Sequence, residues 1–248
     1  MMQPMQRIVS AETLDTLAEN DPAAMRSRRD LQRVHRVMGT RGIVRRALVD
    51  MLRFRSAASP LRILELGAGD GSLMLGVAAT LAPAWSNVEI TLLDRQSLLS
   101  PATINRYAQY GWTVKTKMMD VMDWVADSDE GARGITGERW DVIVANLFLH
   151  HFDGAPLNAL MRAMAARCNR VFACEPRRAR LALIGGHLIG AIGANAVTRE
   201  DAVLSVRAGF CDHELTRVWP RDVDGWRTHE YSAGLFSHCF RAERVGAS

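Results

Sequence analysis

The sequence predicts a doubly wound α/β fold: a mostly parallel seven-stranded sheet with its last strand antiparallel, helices on both faces, and a helical cap at the N-terminus. Three observations lead there. After Pro60, short apolar runs alternate with stretches of helical periodicity. The first run ends in the glycine-rich turn ELGAGDG, Glu65 to Gly71. Before Pro60, from Ser10 to about Ser56, the spacing is helical. Strand and helix alternating at such intervals imply right-handed crossovers and parallel neighbours with helices on either side.

From Ser10 to about Ser56, Leu14, Leu17, Leu31, Val34, Val37 and Met38 recur at three- and four-residue spacing. Breaks at Asn20-Asp21-Pro22 and near Gly39 to Gly42 divide this stretch into two or three helices. The strand runs are Leu61 to Leu66, Val88 to Leu93, Thr113 to Met118, Asp141 to Ala145 and Arg170 to Cys174. Helical patterns at Ser72 to Leu81, Pro101 to Tyr110 and Pro156 to Arg167 lie between them. A helix over Arg199 to Ala208 and a turn at Gly209 lead to two last strands, about Asp212 to Val218 and Leu235 to Arg241. With no full helix between them, these two can pair antiparallel through a Trp219 to Ala233 connection. The expected division is a cap over 1–57 and an α/β domain over 58–248, with an insert at about 177–198 that closes over the site.

At 248 residues and 48% apolar composition, the chain can bury one good core. No basic stretch followed by an apolar run and a small-residue cleavage site stands near the N-terminus, so a cytoplasmic location is expected. Cys168, Cys174, Cys211 and Cys239 lack C-x-x-C or His-ligand spacing, which signals neither zinc nor a disulfide framework. Of 31 basic residues only Lys115 and Lys117 are lysines, and the net charge is +4. The arginine-rich segment Met25 to Arg55 holds a single aromatic residue, Phe54, too few to interleave for base stacking, which counts against nucleic acid.

A glycine-rich turn leaving the first strand brings backbone close to a ligand and aims a helix N-terminus at it. The dinucleotide form needs G-x-G-x-x-G. Here the spacing is Gly67-x-Gly69-x-Gly71, with Ser72 where the third glycine would stand. Glu65 and Asp70 would repel a pyrophosphate, and instead suit a cation. ILELGAGDG resembles motif I of the class I S-adenosylmethionine-dependent methyltransferases, whose cofactor carries an ammonium and a sulfonium. Later positions extend the resemblance. Asp94, closing EITLLD, matches the acid that takes both ribose hydroxyls, which a carboxylate can do. Asp120 in KTKMMDVMDW matches the acid that accepts from the adenine amino group, beside the Val121 and Met122 backbone. Asn146 to His151 in DVIVANLFLHHF resembles motif IV, under the methionine portion and facing the substrate. RVFACEPRR resembles the fifth strand, which often ends in Glu-Pro. The resemblance implies a Rossmann-like methyltransferase fold, S-adenosyl-L-methionine as cofactor and no metal. It implies a cofactor site of Glu65, Gly67, Ala68, Gly69, Gly71, Asp94, Arg95, Asp120, Val121, Met122, Asn146 and Leu147.

Methyl transfer from a sulfonium asks chiefly for alignment in a site closed to water. A hydroxyl acceptor also needs a base, and a histidine with pKa near ~6.5 can serve. His150 and His151 follow the fourth strand, where a doubly wound sheet has its ligand crevice. His151 is the first choice and His150 the second, with at most one expected to face the substrate; His187 and His229 are in reserve. The charge-free run LALIGGHLIGAIGANAV, Leu181 to Val197, is short of the ~20 apolar residues of a bilayer span. It reads as a buried helix over the site, lining a pocket for a lipophilic or phenolic acceptor. Its Gly186-x-x-x-Gly190 would permit close backbone packing.

The leading expectation is O- or C-methylation of a small molecule. ANLFLHH departs from the Asn/Asp-Pro-Pro-Tyr form of several nitrogen-directed relatives. The alternatives are a non-catalytic binding or assembly module, RNA-associated through its arginine-rich helices, and an NAD-dependent oxidoreductase, which the missing third glycine disfavours.

Overall fold

Strands Leu61–Leu66 (β1), Val88–Asp94 (β2), Trp112–Met118 (β3), Val142–Asn146 (β4) and Arg170–Pro176 (β5) run parallel. Trp226–Ala233 (β6) and Ser237–Arg244 (β7) complete the sheet, β7 pairing antiparallel with both β5 and β6. The order is β3-β2-β1-β4-β5-β7-β6, so the chain reverses lateral direction between β1 and β4, where a ligand crevice opens at the strand ends. The computed structural model describes residues 5–18, 20–55, 59–82, 84–131, 138–188, 193–223 and 225–246.

The central strands are apolar runs because both faces are covered. Along β1, Leu61 and Ile63 enter one core cluster, and Leu64 and Leu66 the other. Val142 and Val144 of β4 join the first cluster, Ile143 and Ala145 the second. Helices Thr40–Met51 (α3), Ser72–Leu81 (α4) and Pro101–Gln109 (α5) cover the first face with Leu48, Met74 and Tyr107. Helices Val121–Gly131 (α6), Gly154–Arg167 (α7) and Glu214–Val218 (α10) cover the second with Trp124, Met161 and Leu215. Burying a leucine such as Leu48 contributes about 2 kcal/mol.

Short Thr13–Thr16 (α1), long Pro22–Val37 (α2), Arg180–Leu188 (α8) and Ala196–Ala208 (α9) form the remaining helices. Asp21 accepts from the Ala23 and Ala24 N–H groups with Pro22 next in line, a start that makes Asn20-Asp21-Pro22 a helix boundary. Two buried carboxylates bind the N-terminal helices to α9. Asp201 accepts from the Thr13 and Leu14 N–H groups, and Asp30 from the Asn195 N–H.

The last two strands differ from expectation. Asp212 to Val218 is not a strand, since α10 occupies it, and the stretch read as a connection holds β6. Leu215 and Val218 stand three apart and pack together on the second core, which suits one helical turn. β6 escapes an apolar-run reading because it is a sheet edge whose most buried side chain is a carboxylate. That residue, Glu230, lies 2.6 Å from His238 Nε2 and accepts the Thr216 N–H.

The charge-free run is not one continuous helix either. Within it α8 ends at Leu188, and Asn195 caps α9 by accepting the Thr198 N–H. Ala182 and Gly186 are buried, Gly186 against Ala202 and Val203, while Leu181 and Ile184 are exposed. Gly190 and the side chain of His187 lie outside the described residues. No described helix is long and apolar enough to cross a membrane.

Candidate active site

A cavity of about 610 Å³ opens at the C-terminal ends of β1, β2 and β4. Its floor is the turn after β1, where Gly67, Gly69 and Gly71 all have positive φ, at 66°, 55° and 69°. Such backbone suits glycine. At Gly67 space matters too: a Cβ would lie 2.3 Å from the Phe148 ring. At Gly69 nothing lies within 4 Å of that position, so the turn faces open space there.

Asp94 holds this turn to the next strand. One carboxylate oxygen accepts the Gly69 N–H at 2.8 Å and the other the Gln96 N–H at 2.9 Å, leaving each a further lone pair. Ala68 N–H bonds to Leu93 O. Asp70 takes the Ser72 N–H and, at 2.6 Å, the Gln32 amide from α2. Arg28 of the same helix reaches Gln96 at 3.1 Å.

Glu65 is buried below the turn with its Oε2 lacking a hydrogen-bond partner. Burial first, then the Asp70 and Asp94 charges, push its carboxyl well above the usual range. Asn146 at the end of β4 is buried, and its Oδ1 also lacks a partner. Its amide nitrogen is 3.5 Å from His35 Nε2. Burial pushes His35 down to about 4, so this imidazole is neutral near pH 7 and can accept from Asn146. Three crowded acids and two orphan acceptors make a wall that favours a cation and hydrogen-bond donors.

The opposite wall turns on Glu175, which is fully buried at the end of β5. It accepts the Phe148, Leu149 and His150 N–H groups at 2.9 to 3.3 Å, and stands 2.8 Å from His150 Nδ1. These bonds shape the 3-10 turn Leu149–His151, and Leu147 before it has φ 49°, a conformation costly for leucine. His150 Nε2 lies 3.2 Å from Glu12. Burial would lower the His150 pKa, but hydrogen bonds to Glu12 and Glu175 outweigh it and raise it to about 9. Glu12 ends an extended strap over residues 5–12. Arg7 anchors this strap by donating to the Ala208, His150 and Phe152 carbonyls.

No protein-family model matches the sequence, and no curated protein matches it. Solved structures do match its shape. One is the plantazolicin methyltransferase BpumL in complex with SAH, at 12% identity and TM-score 0.60, covering 91% of each chain. Magnesium protoporphyrin IX methyltransferase from Synechocystis PCC 6803 with bound SAH aligns at 17% identity and TM-score 0.51, over 91% of this chain and 96% of that one. An O-methyltransferase family protein from Burkholderia thailandensis aligns at 16% identity and TM-score 0.51, over 84% and 60%. The fold is that of the S-adenosylmethionine-dependent methyltransferases.

On this methyltransferase fold, eleven of the twelve residues expected to hold the cofactor are brought together: Glu65, Gly67, Ala68, Gly69, Asp94, Arg95, Asp120, Val121, Asn146 and Leu147 line the cavity, and Gly71 ends the turn that forms its floor. Met122 is not among the lining residues. Its side chain packs on the second core, and its N–H is taken by Asp120 at 2.7 Å, where Asp120 starts α6. His150 and His151 both line the cavity, with ring centroids 4.3 Å apart. At most one was expected to face the substrate; of the two, His150 is buried, with 2% of its surface exposed, and His151 is half-buried. His229 is exposed on β6, stacked on Tyr231, and stands outside the cavity. The described residues of the 177–198 insert do not line it; the strap, α1 and α2 occupy that place. Glu12, Gln32 and His35 were missed, since no motif marks them. The EP ending of RVFACEPRR shows Glu175 but not its task.

Proposed function

We propose that the chain is an S-adenosyl-L-methionine-dependent methyltransferase that methylates a small-molecule acceptor, on oxygen first among the alternatives. The observation that carries this reading is the charge of the cavity wall. Glu65, Asp70 and Asp94 crowd one glycine turn, and the unpartnered Glu65 Oε2 and Asn146 Oδ1 stand beside it. That set fits an ammonium and a sulfonium, and would repel the pyrophosphate of a dinucleotide. The fold shared with solved methyltransferases, several with SAH, supports the same reading.

Glu65 and Asn146 would take the methionine end of the cofactor, Asp94 the ribose hydroxyls, and Asp120 with Val121 the adenine side. When bound, the sulfonium supplies an already activated methyl group. The chain's own part is to align and enclose. Strap residues Val9 and Glu12, Leu14 and Leu31 of the cap, and Phe148 and Phe152 line the cavity together with the two histidines. An acceptor with an apolar or aromatic body and one hydroxyl fits this lining: the rings and aliphatic chains hold the body. The hydroxyl is directed to Glu12 and His151, which can take its proton. His150, donating to Glu175, serves as a fixed support for that end rather than as the base.

Incubating the full chain with S-adenosylmethionine labelled at the methyl carbon and a panel of phenolic and aliphatic hydroxyl compounds tests the reading. Label transfer to an apolar hydroxyl compound is expected. Absence of S-adenosylhomocysteine binding would defeat it.

A further inference from the structure

We propose that Glu12, His150 and His151 form a binding site for a divalent transition-metal ion at the acceptor end of the cavity. Among the described residues, these three each offer a ligand atom, and the atoms lie within 4.8 Å of one another. The sequence shows nothing of this, because Glu12 is 138 residues from His150 and no motif links them.

Geometry supports a shared ion. Two donors held at about 2.0–2.2 Å from one metal stand roughly 3 to 3.5 Å apart. Glu12 Oε1 and His150 Nε2 are 3.2 Å apart. His150 has the arrangement of a metal-ligating imidazole: Nδ1 is 2.8 Å from the buried Glu175 carboxylate, which fixes the ring and turns Nε2 toward the cavity. Glu175 is itself held by three backbone N–H groups, so the imidazole cannot swing away cheaply. Glu12 is positioned as well, through a short hydrogen bond from Ser205 Oγ. A buried ion pair between Glu12 and His150 alone would account for two of these groups. His151 adds a third ligand atom to the same cluster, its ring 4.3 Å from that of His150.

Two imidazoles and one carboxylate suit Zn²⁺, Fe²⁺ or Co²⁺, while Mg²⁺ and Ca²⁺ favour all-oxygen sets. All three side chains line the cavity, so an ion there keeps a position open to a ligand from the cleft. Only its use rests on the methyl-transfer reading: an ion at this place would polarise an acceptor hydroxyl and lower its pKa, in place of the direct proton transfer to Glu12 or His151 open to the metal-free site. The binding site itself stands apart from that reading.

The test uses the full chain without an affinity tag, stripped with a chelator and titrated with Co²⁺ by visible d–d absorption and with Zn²⁺ by calorimetry. One ion per chain is expected, Zn²⁺ displacing Co²⁺. Glu12→Gln and His151→Gln should each weaken binding about 100-fold or more. Glu12→Gln removes the charge facing buried His150 and is expected to lower the thermal unfolding midpoint, so His151→Gln, which should keep the midpoint of the stripped parent, is the variant that separates ligand loss from misfolding. Lack of stoichiometric binding, or equal affinity in both folded variants, overturns the site. S-adenosylhomocysteine binding measured on the same samples keeps the two questions apart, since failure there sinks the methyl-transfer reading and leaves the metal result standing.

Discussion

His150 Nδ1 lies 2.8 Å from Glu175, a carboxylate with no exposed surface. The same carboxylate collects the N–H groups of Phe148, Leu149 and His150, so one side chain from β5 organises the turn that follows β4. Strand adjacency in the sheet thereby becomes the shape of the cavity wall.

Glu175→Gln keeps the volume but sets an amide donor against backbone donors. Such a change is expected to cost about 2 to 4 kcal/mol of stability. Urea unfolding of parent and variant measures it, and a difference within about 0.5 kcal/mol would show that the turn does not depend on this charge.

Gly67→Ala and Gly69→Ala separate two demands on the same turn. Both positions have positive φ, but only at Gly67 does a Cβ meet another atom, the Phe148 ring at 2.3 Å. Gly67→Ala should lower stability by about 2 to 4 kcal/mol, and Gly69→Ala by about 1 kcal/mol from backbone strain. The open space above Gly69 is where the cofactor is proposed to lie, so Gly69→Ala should still weaken S-adenosylhomocysteine by tenfold or more. Calorimetry and unfolding on both variants check this; a cofactor affinity that tracks stability alone would contradict it.

His35 carries an acid sensitivity of defined sign. Burial holds its pKa near about 4, against 6.5 for the exposed group. Between those values the unfolded chain binds more protons, so this contribution is full above about pH 6.5 and is lost as pH falls toward 4. It amounts to about 3 kcal/mol. In the non-titrating His35→Gln variant, the drop in stability over that range should be smaller by this amount. Parallel acid profiles for parent and variant would refute the assignment.

Arg7 tests the strap. It ties residues 5–12 to the Ala208, His150 and Phe152 carbonyls, and so sets where Glu12 stands. Arg7→Gln is expected to lower kcat/KM for the acceptor by about 10- to 100-fold through misplacement. Cofactor affinity should change less than about threefold, because the turn after β1 is held by Asp94 and Gln32 instead. Equal losses for acceptor and cofactor would contradict a role confined to the strap.

Much of this molecule is legible in the letters, for physical reasons. β1, β4 and β5 are covered on both faces and must be apolar runs, and Asp21-Pro22 and Pro101 announce helix starts through their own backbone chemistry. Glu65, Gly67, Asp94 and Asn146 are visible because they stand at strand ends and in a glycine turn, in the order that the resembled motifs have. β6 was hidden because its buried position is Glu230, satisfied by His238 from the neighbouring strand. Glu12 and His35 were hidden because they act across more than 100 residues of chain, where spacing carries no signal. Met122 stands apart from the rest of the expected set: its side chain packs on the second core and Asp120 takes its N–H.

Calorimetric titration of S-adenosylhomocysteine into the full chain and into Asp94→Asn tests the central claim most directly. One site per chain is expected in the parent, with affinity at least tenfold weaker in the variant and NAD giving no heat in either. A parent that ignores S-adenosylhomocysteine, or takes up NAD in its place, would contradict the account.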